Sequence, residues 1–269
     1  ILGGSETGGP LVNRGEWTLS GSDDRTFSGR NWFNQGTIVH EDDGRFLVSA
    51  GGQGALLVNT STGQILHDGS GAWVSGTLRN FGELVNRNNE WPLEMRIDSR
   101  NGSVLRADAG ALTLRSGGEL GSVIFETGPD ATVRLADQPG GSELQGVDGA
   151  VWTAAGSGHV ELSEGLLRSG GEVTWDFDEG EFVWAGGTLR GDFRNASFVT
   201  VEGANGQTID NTLTNEGVIE QRPGSKVTVN GRIDNVAGAL YELRDDAEIG
   251  GRTLVNSGLF NAGTVRKTG

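Results

Sequence analysis

Leu213-Thr214-Asn215-Glu216-Gly217-Val218-Ile219 is the stretch on which the reading of this chain turns. Apolar positions lead to an Asn, then one residue, a Gly, one residue, and a return to apolar. The same order recurs as Leu11-Val12-Asn13-Arg14-Gly15-Glu16-Trp17, as Trp32-Phe33-Asn34-Gln35-Gly36-Thr37-Ile38 and as Leu78-Arg79-Asn80-Phe81-Gly82-Glu83-Leu84. It returns once more as Leu254-Val255-Asn256-Ser257-Gly258-Leu259-Phe260. Looser copies lie at 58–65, 102–105, 128–133, 149–151, 171–173, 195–199 and 235–240. Anchored on the turn position they fall at 15, 36, 63, 82, 102, 128, 149, 171, 197, 217, 238 and 258, a mean step of about 22 residues. The steps of 26 or 27 residues read as one period plus a loop insertion.

Between the anchors apolar and polar residues alternate over short runs, as at Leu112-Thr113-Leu114, Val133-Arg134-Leu135 and Val227-Thr228-Val229. Alternation of that kind marks strands with one buried face, and the Gly-rich steps between them supply turns. No amphipathic helix longer than two turns is visible. A unit of about 22 residues holds two or three strands but cannot bury a core alone, whereas stacked copies can. The expected fold is therefore all-β: a right-handed parallel β-helix of about 12 coils with ~21–22 residues each. At ~4.8 Å per coil the stack would be about 55–60 Å long. A propeller would need repeats of ~40 residues, and a sandwich would not repeat one phrase at a fixed step. Residues 1–269 are expected to form a single solenoid domain, a piece of a longer repeat protein, because the chain opens without Met and closes just after a repeat.

The recurrent Asn suggests what fixes the stack. Its amide can hydrogen-bond to the equivalent amide one coil away. Asn13, Asn34, Asn80, Asn195, Asn215 and Asn256 all stand two residues before the anchor and are predicted to form a ladder. Asn59 and Asn235 fall one or two residues out of that register, and residues 101–190 mostly lack the Asn, which implies an interruption.

Composition bounds the partner. The chain carries 36 acidic and 21 basic side chains, a net charge of −15, which opposes nucleic acid or an anionic bilayer as a partner. No apolar run approaches the ~18 residues needed to insert in a membrane as a helix. Without Cys there is no disulfide and no thiolate metal site. The 47 Gly report corners, and the acids report solvated outer faces that keep a rod soluble.

The Asn-x-Gly-x-apolar rhythm, high Gly, acidic balance and absence of Cys together resemble secreted bacterial β-solenoid proteins, in particular autotransporter passenger domains and filamentous-haemagglutinin-like adhesins. The resemblance covers nearly the whole chain and rests on rhythm. It implies an extracellular or bacterial cell-surface location and an adhesive or structural role, and it carries over no functional residue. The expected function is a non-enzymatic spacer that presents loops near 23–30, 40–54, 86–100 and 136–146 to carbohydrate or to a host or cell-surface ligand. End-to-end self-association through bare coil edges is a further expectation.

The alternative is a carbohydrate-binding or carbohydrate-active β-helix. Polygalacturonase-like enzymes carry an Asp-Asp pair, a Gly-His-Gly step and an Arg-x-Lys step on adjacent coils. Here Asp23-Asp24 stands about six coils from Gly158-His159-Val160, far beyond the ~5–10 Å that an acid–base carboxylate pair needs. His40, His67 and His159 are scattered and read as surface or turn residues. The most unusual stretch is Val173-Thr174-Trp175-Asp176-Phe177-Asp178 followed by Phe182-Val183-Trp184. If its aromatic face pointed outward, Trp175 and Trp184 could stack on sugar rings beside Asp176 and Asp178. If it pointed inward, the indoles would fill the core, as Trp17, Trp32, Trp73 and Trp152 are expected to do, with Trp91 exposed on an excursion. Asp176 and Asp178 also stand as weak Ca²⁺ ligands, although neither an EF-hand spacing nor the β-roll nonapeptide is present. No other cofactor is expected. An ice-binding face is excluded because Thr18, Thr37, Thr77, Thr113, Thr132 and Thr153 share no offset from the anchors.

Overall fold

Strands with one apolar face and turns every few residues leave a chain of this length only one way to bury itself, which is to wind. The computed structural model describes residues 9–41, 43–49, 56–135, 143–251 and 257–269. Among them it is all-β, a parallel solenoid of about 11 turns, close to the 12 expected. Each coil has three faces, set by its first strands: Leu11–Asn13 opens the first face, Glu16–Leu19 the second and Arg25–Ser28 the third. Every pairing between neighbouring coils is parallel. Leu11–Asn13 sits on Trp32–Asn34, Glu16–Leu19 on Thr37–His40, and Arg25–Ser28 on Phe46–Ser49.

The register explains the core. On the second face Ile38, Ile65, Leu84, Leu105 and Phe125 stack directly above one another, all fully buried. On the third face the column is Leu93, Leu114, Leu135, Leu162, Trp184 and Val201. Each such side chain gives about 1.5–3 kcal/mol on leaving water, and the interior columns merge into one continuous cluster along the stack. Trp32, Trp73 and Trp152 are buried in it, as expected, and Trp17 packs against it half-buried. Trp91 is also fully buried, against expectation. It belongs to Glu90–Ser99, a continuous strand that turns from the third face to the first, so 86–100 is not a loop excursion.

Asparagine ladders are present, but there are two and they occupy different corners. Asn13, Asn34, Asn59 and Asn80 stack where the first face turns into the second, each Nδ2 donating to the next Oδ1 at 2.8 Å. The same Nδ2 atoms reach carbonyls of the following coil, Thr37, Gln64 and Glu83. Asn195, Asn215, Asn235 and Asn261 stack where the second face turns into the third, with rungs of 2.7 Å. Asn59 and Asn235 are thus in register: a register is set by backbone pairing, not by distance to the next Gly. Asn256 lies outside the described residues.

The change of corner also corrects the reading of two of the three long steps. Gly102 and Gly171 stand between first-face and second-face strands, whereas Gly128 and Ser197 stand between second-face and third-face strands. The 26-residue steps 102→128 and 171→197 are each one coil plus one face, with no insertion, whereas the 27-residue step 36→63 joins two corners of the same type and remains a lengthened coil. Between the ladders the Asn80 position continues as Ser99, Leu120 and Gly146. The first ladder ends there because Ser99 is too short to accept, leaving Asn80 Nδ2 and Ser99 Oγ buried without partners.

Candidate functional site

A functional site on a solenoid must be built from side chains that alternate outward, since the inward ones are spent on the core. Trp175 and Trp184 are 0% and 1% exposed. The inward alternative therefore holds for both indoles, and neither presents a face to a sugar. Trp175 packs on Phe182 and Phe193 at ring distances of 4.9 and 5.0 Å. Asp176, the last residue of the strand that carries Trp175, and Asp178, two residues beyond it, are exposed. The Asp178 backbone N–H donates to Glu181 Oε2 at 2.8 Å, closing a turn. Partial burial and the nearby Asp178 charge raise the Glu181 carboxyl above its ordinary range. Among the described residues no three His, Asp or Glu side chains converge closely enough to hold a metal ion.

Two of the three histidines are interior, contrary to the surface reading. His40 and His67 stack in register at the end of the second face, both fully buried, with rings 5.1 Å apart. Their Nε2 atoms donate to the Gly44 and Gly71 carbonyls at 3.0 and 2.9 Å. His40 Nδ1 accepts from Trp73 Nε1 at 3.1 Å, and His67 lies flat on Trp91, 6° from parallel. Asn86 continues the column and donates to Asn88, Asn89 and Ala109 carbonyls. These side chains do for one corner what the first Asn ladder does for another: they satisfy turn carbonyls that water cannot reach. Burial drives the His67 pKa down to about 4. Sequence spacing gave no sign of this, because a His that caps a corner looks like a His on a turn.

The outward side chains form two polar sites. On the third face Arg134 bridges Glu90 at 2.9 Å and Glu161 at 3.6 Å, with His159 at 3.6 Å from Glu161. The His159 imidazole and the Arg134 guanidinium hold Glu161 below the usual carboxylate range. The set draws on three coils, but its acids are committed to cations. At the second-to-third corner a shallow, open cleft of about 290 Å³ is lined by Arg106, Asp108, Glu126, Thr127, Gly128, Ala155 and Gly156. Arg106 spans Asp108 through two hydrogen bonds of 2.6 and 3.1 Å, with Glu126 3.6 Å away on the next coil. The cleft offers donors and acceptors suited to hydroxyls, but no aromatic platform.

Comparison with protein-family models, curated proteins and solved structures finds no match to this chain. The geometry alone therefore carries the functional argument. Elsewhere the acids are laid out as coil-to-coil pairs. Glu220 and Glu242 stack in register on the third face, and Arg222, Arg244 and Arg266 interleave with them. Arg266, with Arg244, holds Glu242 below the usual carboxylate range. Arg96, Asp98, Glu119 and Arg100 make a similar chain on the first face, with contacts of 3.0–3.3 Å. Asp24 and Arg45 pair at 2.6 Å across one coil step. Such half-exposed pairs are worth little singly. Their arrangement along the stack lets an acidic rod lie coil on coil without a continuous line of like charge.

Proposed function

We propose that this chain is a stiff structural segment of a large secreted bacterial surface protein, holding corner excursions out for binding to carbohydrate or to another cell surface. One observation carries the reading: three parallel faces run without a break in stacking through the described coils, and their polar outer side chains bond to one another rather than around a reaction centre. A spacer needs that stiffness and that lack of commitment. The acidic balance suits an exposed rod that must stay soluble and must not adhere to polyanions. Labelling of intact cells with an antibody raised against the chain tests the location. Labelling before lysis supports a surface segment, and labelling only after lysis overturns it.

The cleft around Arg106 favours one second reading, a carbohydrate-binding β-helix. A neutral oligosaccharide would meet Asp108 and Glu126 as acceptors and Arg106 as a donor. Saturable binding of neutral glycans that is lost in Arg106→Ala supports it, and binding unchanged by that substitution removes this cleft from consideration.

A further inference from the structure

We propose that Asn205 is a site of spontaneous covalent modification, singled out by the fold from three chemically similar positions. The chain contains three Asn-Gly steps, Asn101-Gly102, Asn205-Gly206 and Asn230-Gly231. In each, the Gly amide nitrogen can attack the Asn side-chain carbonyl carbon. A C–N bond forms, the bond to the side-chain nitrogen breaks, and ammonia leaves with the amide proton. Water then opens the cyclic imide at either carbonyl, giving aspartate or isoaspartate. The reaction needs no agent beyond water. It does need a free Gly N–H, a side chain able to swing onto it, and room for the ring.

Two of the three positions are held against it. Asn101 Oδ1 accepts from the Ser122 N–H at 2.9 Å, and the Gly102 N–H donates to the Ser122 carbonyl at 2.8 Å. Asn230 is half-buried with its Nδ2 donating to Asp210 Oδ1 at 3.1 Å, and the Gly231 N–H donates to the Ile209 carbonyl at 3.0 Å. Asn205 differs in exposure, in its side chain and in its place on a bulge. It and Gly206 are exposed, and its side chain forms no hydrogen bond among the described residues. Gly186 pairs with Asn205 and Gly187 with Gln207, so Gly206 is the extra residue of a bulge, outside the register of the neighbouring strand. Its φ of +69° and lack of a side chain leave the approach to its nitrogen open.

The surroundings contain the damage. Gln207 Nε2 donates to the Glu202 carbonyl at 2.7 Å and the Trp184 carbonyl at 3.3 Å, tying the excursion at its base. The added backbone carbon of isoaspartate stays within 203–206, and the new carboxylate lies close in sequence to the Glu202–Arg222 pair. The ladder asparagines are spared twice over. Each amide is held by at least one rung, and the residues after them are Arg14, Gln35, Thr60, Phe81, Ala196, Glu216, Val236 and Ala262, none a Gly. Modification thus changes surface charge at one corner and leaves the stack intact.

Incubation of the folded protein at mildly alkaline pH, followed by peptide mass mapping and an isoaspartate assay, tests this. The Asn205 peptide should gain about 1 Da at least about tenfold faster than those of Asn101 and Asn230, whose amides must first open locally. In urea all three should convert at comparable rates, and Asn205→Gln should abolish the folded-state product. The proposal is overturned if the Asn205 peptide stays unmodified in the folded protein while converting in urea. It is equally overturned if the three peptides convert at one rate in the folded state.

Discussion

A single rung shows how much one amide does here. Asn215, itself fully buried, accepts from Asn195, donates to Asn235 and donates to the Leu240 carbonyl at 3.0 Å. Replacing it with Ala leaves several buried polar groups unsatisfied, at about 1–3 kcal/mol each. Asn215→Ala is therefore expected to lower stability by about 3 kcal/mol or more, while Asn211→Ala, at an exposed position, stays within about 0.5 kcal/mol. Urea melts of the two variants check the contrast. His67 supplies the pH dependence. Its folded pKa, about 4, lies below the ordinary ~6.5, so between those values the unfolded chain binds a proton that the folded chain refuses. Its contribution is present above pH ~6.5 and is lost as pH falls toward 4, about 3 kcal/mol in all. His67→Asn should flatten that acid limb; a melt series across the window would show an unchanged slope if the assignment were wrong.

At the scale of the coil, the corner decides. A Cβ on Gly217 would stand 1.9 Å from the Ser197 carbonyl oxygen of the coil before. Gly217→Ala must push two coils apart and break rungs on both sides, so a loss of several kcal/mol is expected, far beyond a helix-type Gly→Ala effect. Glu216→Ala, one residue away and exposed, should be near neutral by the same melt. The phrase around Gly217 made the repeat and the parallel stack legible in the sequence, and with them the ladder residues Asn13, Asn34, Asn80, Asn195 and Asn215. It could not reveal that the ladder moves to another corner, because both corners use the same chemistry. Nor could it place Asn59 and Asn235, since register follows backbone pairing. Trp175 and Trp184 show the limit for sites: alternation tells that two residues share a face, and only the closed coil tells which face is inside.

For the whole molecule, sequence distance converts into height along a rod at a fixed step. Val12, Phe33, Val58, Arg79, Asp98, Glu119, Gln145, Arg168 and Arg190 form one unbroken register along the first face. At ~4.8 Å per coil, Glu119 stands about 24 Å above Val12, and Arg190 about 38 Å above it. Because the chain has no Cys, paired Cys substitutions at these positions can be spin-labelled cleanly. Pulsed electron paramagnetic resonance should give a narrow distribution near each of those distances for Val12/Glu119 and Val12/Arg190, in that order and in that proportion. Equal distances, or a shorter separation for the pair more distant in sequence, would contradict the stack.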